Sequence, residues 1–265
     1  MTTAIIGIGA MGEALLSGLV RAGWDTSELR GADARPARRE EMSSTYGVAV
    51  TETVEAAQGA DTVILVVKPQ DIASALSDIV PVITPDTLII SLAAGVTTAT
   101  IEGHLGEGQP VVRVMPNTAA LIGEGMAAIC AGTSATQDHL ARAEKILAAV
   151  GKVQIVAEKH MDAVTAVSGS GPAYVMLVAE SMIDAGVLLG LPRPTATELV
   201  KQTLYGSSKL LVDSGEHPTI LRENVTSPGG TTAAALRAFE DHGLRAAFID
   251  AVEAACRRSE ELGQA

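Results

Sequence analysis

Two stretches of this chain carry residue types and spacings that suit chemistry. The first is Ser227-Pro228-Gly229-Gly230-Thr231-Thr232, followed by AAALRAFEDHG. Pro228 and the paired glycines cannot extend a helix, so they turn the chain sharply. Ala233 to Glu240 is strongly helix-forming, with Leu236 and Phe239 on one face and a stop at Gly243. The pattern is a tight loop feeding a helix start, with Thr231 and Thr232 in the first turn. Unpaired amides and the positive end of the helix dipole suit a carboxylate or phosphate there, and two hydroxyls add donors. The bland alternative is a Thr-capped helix after a glycine turn. The second stretch is Gly7-Ile8-Gly9-Ala10-Met11-Gly12, set between an apolar strand at residues 3–7 and a helical pattern from Glu13 to Ala22. Gly-x-Gly-x-x-Gly between strand and helix is a dinucleotide fingerprint. Gly7 permits the turn, Gly9 lets backbone approach a pyrophosphate, and Gly12 lets the helix pack on the strand.

These stretches need a sheet to hold them, and the first 157 residues supply one. A strand near Glu28 to Ala32 ends at Asp33-Ala34-Arg35-Pro36-Ala37-Arg38-Arg39. Asp33 follows Gly12 by about twenty residues, where an acid binds a ribose 2′-hydroxyl and favours NAD. Arg35, Arg38 and Arg39 point the other way, toward a 2′-phosphate and NADP. The apolar run Thr62 to Val67 fits a buried parallel strand and ends at Lys68-Pro69. Thr87 to Ser91 ends in Ala93-Ala94-Gly95, small enough to admit a flat nicotinamide ring. Pro110 to Met115 ends in Pro116-Asn117-Thr118. Three strands finishing in small or polar residues at one edge resist a packing explanation, and that edge is where open α/β sheets bind ligands. Gly125 to Cys130 and Lys152 to Val156 are further strands around a helix at Thr136 to Val150.

From Glu158 onward the β pattern disappears. His160 to Val167 is helical, Ser168-Gly169-Ser170-Gly171-Pro172 interrupts, and Pro172 suits the start of a helix running to Leu189. Helices follow near Thr195–Asp213 and Thr219–Asn224, and the last spans Leu244 to Leu262 with Ala247, Val252 and Ala255 turned inward. The chain is therefore expected to be α/β then all-α. An N-terminal doubly wound Rossmann-type sheet occupies 1–157, and a C-terminal helical dimerisation domain occupies 158–265. Only 2% of residues are aromatic. Helices built from small side chains bury little surface alone, so the second domain is expected to pack against a copy of itself.

A formal charge of −12 over 265 residues argues against nucleic acid or an anionic membrane as partner. The apolar runs are expected to stop short of a membrane span, and no signal peptide is expected before the first strand. Cys130 and Cys256 lie far apart without metal-like spacing, which fits reduced thiols in a cytoplasmic protein. His160, His217 and His242 form no metal site either and are expected to cap helices or face solvent. Arg222 and Glu223 are sequence neighbours that point apart on a helix, so a surface or intersubunit ion pair is favoured over a catalytic pair.

The chain resembles pyrroline-5-carboxylate reductases along essentially its whole length. The motifs that carry the resemblance are Gly7-Ile8-Gly9-Ala10-Met11-Gly12, Val66-Val67-Lys68-Pro69, Ser91-Leu92-Ala93-Ala94-Gly95-Val96 and Arg113-Val114-Met115-Pro116-Asn117-Thr118. Ser168-Gly169-Ser170-Gly171-Pro172-Ala173-Tyr174 and the run Leu221 to Glu240 are the most specific. The resemblance implies NAD(P)H-dependent reduction of the cyclic imine 1-pyrroline-5-carboxylate to L-proline. It implies cofactor contacts from Ile6, Gly7, Ile8, Gly9, Ala10 and Met11, from Val66, Val67, Lys68 and Pro69, and from Leu92, Ala93 and Ala94, with Asn224 reaching the nicotinamide end. Ser227, Gly230, Thr231 and Thr232 would hold substrate, with the Thr232 hydroxyl near the ring nitrogen as the catalytic group. Dimers with interlocked helical domains, often assembled as decamers of five dimers, are implied as well. One departure stands out: many members carry Asn shortly before the Lys-Pro strand, where this chain has Thr53.

Asp33 and Arg35 belong to the adenosine side, and the arginines favour NADPH modestly over NADH. Two other readings share the architecture. A β-hydroxyacid dehydrogenase or ketopantoate reductase would need a helical-domain lysine, for which Lys201 and Lys209 are candidates outside any glycine-rich motif. A non-catalytic NADPH sensor would need the first stretch but not Ser227 to Thr232.

Overall fold

A computed structural model describes residues 1–263 as two compact units. The first comprises residues 1–170 together with the chain from Ala255 onward, and the second is Gly171–Ala254.

In the first unit eight strands form one sheet: β1 (Thr3–Ile6), β2 (Leu29–Ala32), β3 (Ala49–Thr51), β4 (Thr62–Leu65), β5 (Leu88–Ser91), β6 (Val111–Met115), β7 (Gly125–Ala131) and β8 (Gly151–Ile155). Their order is β3-β2-β1-β4-β5-β6-β7-β8. All neighbouring pairs are parallel except β6–β7. The helices of this unit are α1 (Ala10–Arg21), α2 (Pro36–Tyr46), α3 (Thr53–Ala57), α4 (Ile72–Ile79), α5 (Thr98–Glu102), α6 (Gln137–Leu147) and α7 (Met161–Val164).

Every residue of β1, β4 and β5 is buried, because side chains alternate between two cores, one on each face. Ile5, Ile64 and Ile90 pack with Leu15, Leu16 and Leu19 of α1 and Leu140 of α6. Ala4, Ile6, Leu65 and Ile89 pack with Ala56 of α3 and Ile72, Leu76 and Ile79 of α4. The unbroken apolar runs thus give a doubly wound sheet, as expected. The sequence reading passes over β3, a three-residue edge strand too short to show alternation. It also carries the fourth strand to Val67. That strand ends at Leu65, and the Val66 amide makes the last rung of its pairing with β1, donating to the Ile6 carbonyl at 2.8 Å.

The interruption expected at residues 168–172 is confined to a bend at Ser170, and the new helix starts beside Pro172 as expected. The segment Thr165–Gly169 is a π-helical turn that passes into α8 (Gly171–Leu188). Pro172 has no N–H to give the Ser168 carbonyl one turn back. Asn117 supplies the missing donor: its Nδ2 reaches that carbonyl at 3.1 Å, while its Oδ1 accepts from the Met126 amide at 3.1 Å. Packing therefore accounts for Asn117. Gly169 lies beside it against the Met115 side chain, whose terminal methyl would have to move to admit a Cβ. Arg113, buried on β6, pairs with Glu158 at 3.2 Å, and Glu158 accepts from the Thr98 amide and hydroxyl at the start of α5. Burial pushes the Glu158 carboxyl up, but these donors outweigh it and hold the group below its usual range. Such contacts, with Met161 and Ala166 fully buried, place residues 158–170 in the compact unit of the sheet.

The second unit is helical: α8, α9 (Arg193–Ser214), α10 (Pro218–Asn224), α11 (Thr231–Asp241) and the first part of α12 (Leu244–Gly263), whose residues from Ala255 onward count with the first unit. α8 and α9 pack together where Gly186 meets Ala196, and Ala196 and Val200 are the buried residues of α9. No residue of α8 is buried. Met176, Leu177, Leu188, Tyr205, Val212 and Ile249 stand exposed. Ala247 is exposed too, and Val252 and Ala255 are half-buried, so only part of the expected inward face is covered within one chain. The stretch Glu158–Leu188 is long and apolar enough to cross a membrane by length and composition. This departs from the expectation that the apolar runs fall short of a span. An apolar helical surface of this extent calls for a covering partner.

Candidate active site

The carboxyl ends of β2, β1, β4 and β5 are neighbours, and they gather most of the expected cofactor residues. Ile6 closes β1 in the core, and Gly7 then turns with φ +97° while its amide donates to the Ala32 carbonyl at 2.8 Å. A Cβ at Gly7 would lie 2.7 Å from the Val66 oxygen, and one at Gly12 would overlap the Gly7 carbonyl oxygen. Gly9 is different, since a Cβ there would meet nothing within 4 Å. Gly7 and Gly12 are therefore demanded by the protein itself, whereas Gly9 borders open space. Gly9 is also the N-cap of α1 and brings no side-chain acceptor, so the first amides of α1 stay available. This bare cradle fits a dinucleotide pyrophosphate.

Around it, Ala10 is exposed and Met11 half-buried, as are Val66 and Val67. Lys68 and Pro69 stand exposed at the turn after β4. Leu92 is half-buried, Ala93 is buried and Ala94 is exposed in the turn after β5.

The acid and arginines after β2 are already engaged. Asp33 accepts from Arg35 Nε at 2.9 Å and Nη2 at 3.1 Å, and from the Arg35 amide at 2.9 Å. Burial pushes the Asp33 carboxyl up, but those hydrogen bonds and the charges of Arg35 and Arg38 bring it below its usual range. The Arg35 side chain remains 67% exposed. Arg39 donates to the Asp33 carbonyl at 3.0 Å and pairs with Glu52 at 3.5 Å. Arg38 turns inward: Nε donates to the Ile8 carbonyl at 2.9 Å, Nη1 pairs with Glu41 at 2.9 Å, and Nη2 pairs with Glu13. Its side chain is only 15% exposed. Arg38 is thus built into the glycine-rich turn and is not the free 2′-phosphate ligand that sequence suggests. Glu13 and Tyr46, whose hydroxyl donates to Glu13 at 2.9 Å, escape sequence reasoning. An acid in the first turn of an anion-binding helix was the available signal, because it requires a compensating cation.

In the helical unit, α10 ends at Asn224 and a short loop leads to α11. Gly229 has φ +69°, and the Gly230 amide donates to the Ser227 carbonyl at 3.0 Å. Gly230 is the N-cap of α11 and supplies no side-chain acceptor, so the helix starts bare at Thr231, as α1 does at Ala10. Ser227 and Thr231 are exposed and Thr232 is half-buried. Thr231 and Thr232 do not cap the helix: they lie inside its first turn, which leaves its amides and both hydroxyls for a ligand. His217 is the N-cap of α10, accepting from the Thr219 amide at 3.2 Å. The described residues contain no cluster of three or more His, Cys, Asp or Glu able to hold a metal. Cys130 and Cys256 are free, and burial pushes the Cys130 thiol up to about 11.

The sheet order, the bare glycine-rich turn and the separate helical unit define a Rossmann-type dinucleotide-binding oxidoreductase architecture. A family model described as pyrroline-5-carboxylate reductase dimerisation matches residues 158–262, and one described as NADP oxidoreductase, coenzyme F420-dependent, matches residues 2–95. The chain is 43% identical to a pyrroline-5-carboxylate reductase of Corynebacterium melassecola over 99% of both chains. It superposes on the Coxiella burnetii pyrroline-5-carboxylate reductase with TM-score 0.95 at 35% identity, covering 98% of each chain. A Plasmodium falciparum pyrroline carboxylate reductase solved with NADP bound matches with TM-score 0.87 at 33% identity, over 99% of this chain and 98% of that one. The chain belongs to the pyrroline-5-carboxylate reductase family. The dimerisation match starts at 158, where the sequence reading divides the domains, while compactness places residues 158–170 with the sheet.

Proposed function

We propose that this protein reduces 1-pyrroline-5-carboxylate to L-proline with NADPH or NADH, the closing step of proline synthesis. The observation that carries the substrate side is the bare start of α11, where Gly230 leaves the amides of a helix terminus beside two threonine hydroxyls. The reaction adds a hydride to the imine carbon and a proton to the ring nitrogen. A reduced nicotinamide, when bound, supplies the hydride. Gly7, Gly9 and the first turn of α1 hold the pyrophosphate, with Ile6, Ile8, Ala10, Met11, Val66 to Pro69 and Leu92 to Ala94 lining the sheet edge and Asn224 serving the nicotinamide end. Asp33 and Arg35 serve the adenosine side, and the exposed Arg35 guanidinium favours a 2′-phosphate.

Ser227, Gly230 and Thr231 anchor the substrate carboxylate through amides and hydroxyls. Thr232 directs its hydroxyl at the ring nitrogen. Threonine is too weak an acid to act through its own ionisation, so Thr232 orients an imine that arrives protonated, and positioning supplies most of the acceleration. Dimers form through residues 158–265, five dimers assemble into a decamer, and the enzyme works in the cytoplasm. The exposed apolar residues of α8 and α9 support self-association, and the two free thiols support a reducing compartment. Light scattering should return a dimer or a multiple of it; a folded, active monomer at micromolar concentration contradicts the assembly.

Nicotinamide absorbance during turnover tests the substrate assignment. Oxidation of NADPH is expected with pyrroline-5-carboxylate and not with ketopantoate. The reverse preference would transfer the chain to carbonyl reduction and send attention to Lys201 and Lys209.

A further inference from the structure

The turn that is to receive a pyrophosphate carries an acid in the worst place for one. Glu13 lies in the first turn of α1, where an unpaired carboxylate would repel a dianionic ligand and compete for the helix dipole. Three contacts answer this. Arg38 Nη2 pairs with Glu13 Oε2, the Tyr46 hydroxyl donates to Oε1 at 2.9 Å, and Arg38 Nε holds the Ile8 carbonyl inside the glycine-rich turn at 2.9 Å. Arg38 is 15% exposed and has a further partner in Glu41, so its fork is committed to the protein. One guanidinium thereby sets both the charge and the shape of the turn.

We propose that Arg38 is a positioning residue for the cofactor, cancelling the Glu13 carboxylate and fixing the Ile8 carbonyl, and that it serves NADPH and NADH alike. The inference rests on the dinucleotide reading of Gly7–Gly12. It separates Arg38 from Arg35, which lies on the surface with Asp33 and can discriminate the 2′-phosphate. The hydrogen bond from Arg38 is also the largest cause lowering the Glu13 carboxyl below its usual range, as a committed ion pair requires.

The test is fluorescence titration of the full-length protein with NADPH and with NADH, alongside steady-state kinetics. Arg38→Ala should weaken both dinucleotides about ten- to a hundredfold, by a common factor. KM for the cofactor should rise while kcat at saturation holds. Glu13→Gln in the Arg38→Ala background should recover affinity severalfold, because the exposed carboxylate is removed. A purely structural loss would not be rescued in this way. Weakening of NADPH alone would overturn the inference and make Arg38 a 2′-phosphate ligand, leaving the dinucleotide reading intact. Common weakening without rescue by Glu13→Gln would overturn it as well. If Arg38→Ala does not fold, Arg38→Gln removes the charge with less loss of volume, and the same outcomes apply with smaller losses. Wild-type protein that binds neither dinucleotide would overturn the reading of the turn itself.

Discussion

Replacing Thr232 by alanine should lower kcat/KM for pyrroline-5-carboxylate by about ten- to a few hundredfold, since a hydrogen bond to a charged group is worth roughly 1.5–3 kcal/mol. Thr232→Ser should recover much of the loss by keeping the hydroxyl. Stability should hardly change, because Thr232 is half-buried within the first turn of α11 and Gly230, not Thr232, is the cap. Cofactor affinity should hold too, since the glycine-rich turn belongs to the other compact unit. Full activity in Thr232→Ala, measured with the imine itself, would reduce the residue to an ordinary first-turn threonine.

The glycine-rich turn predicts a split between its members that is as large. Gly12→Ala should destabilise the fold by about 1–3 kcal/mol, as overpacking does, because its methyl meets the Gly7 carbonyl and the backbone must move. Gly9→Ala should leave the melting temperature within about 2 °C of wild type. Gly9 has φ −78°, an angle open to any residue, and its added methyl meets no protein atom. Dinucleotide binding should nonetheless fall at least about tenfold, since the methyl occupies the approach to the pyrophosphate. Thermal melting and fluorescence titration on both variants separate the two effects. Equal melting losses would mean that Gly9 is also a packing residue.

The fold was legible where burial imposes one pattern on many residues. Residues 63–65 and 88–90 are apolar throughout because both faces of their strands are covered. The start of α11 was legible because Pro228 and two glycines leave few backbone choices. What escaped was set by partners distant in sequence. Arg38 looks like a 2′-phosphate ligand until α2 lays it against Glu13 and the Ile8 carbonyl. Asn117 looks like a ligand-side residue until Pro172 leaves the Ser168 carbonyl without an amide and the side chain fills the gap. The clue was Pro172 itself: where a helical path continues through a proline, the carbonyl one turn back loses its donor. What sequence alone could not supply was which side chain would answer it. β3 escaped for a simpler reason, as three edge residues give periodicity nothing to repeat.

The substrate site rests on the claim that a carboxylate sits on the amides that open α11. Hydrogen exchange of those amides, followed by mass spectrometry with and without L-proline, tests it directly. Proline should slow exchange across residues 230–234 in the wild-type enzyme, and weakly or not at all in Thr231→Pro, which removes the first amide of α11 and its hydroxyl. Slowing confined to other segments, with 230–234 exchanging as fast as in free protein, would place the carboxylate elsewhere and contradict the site.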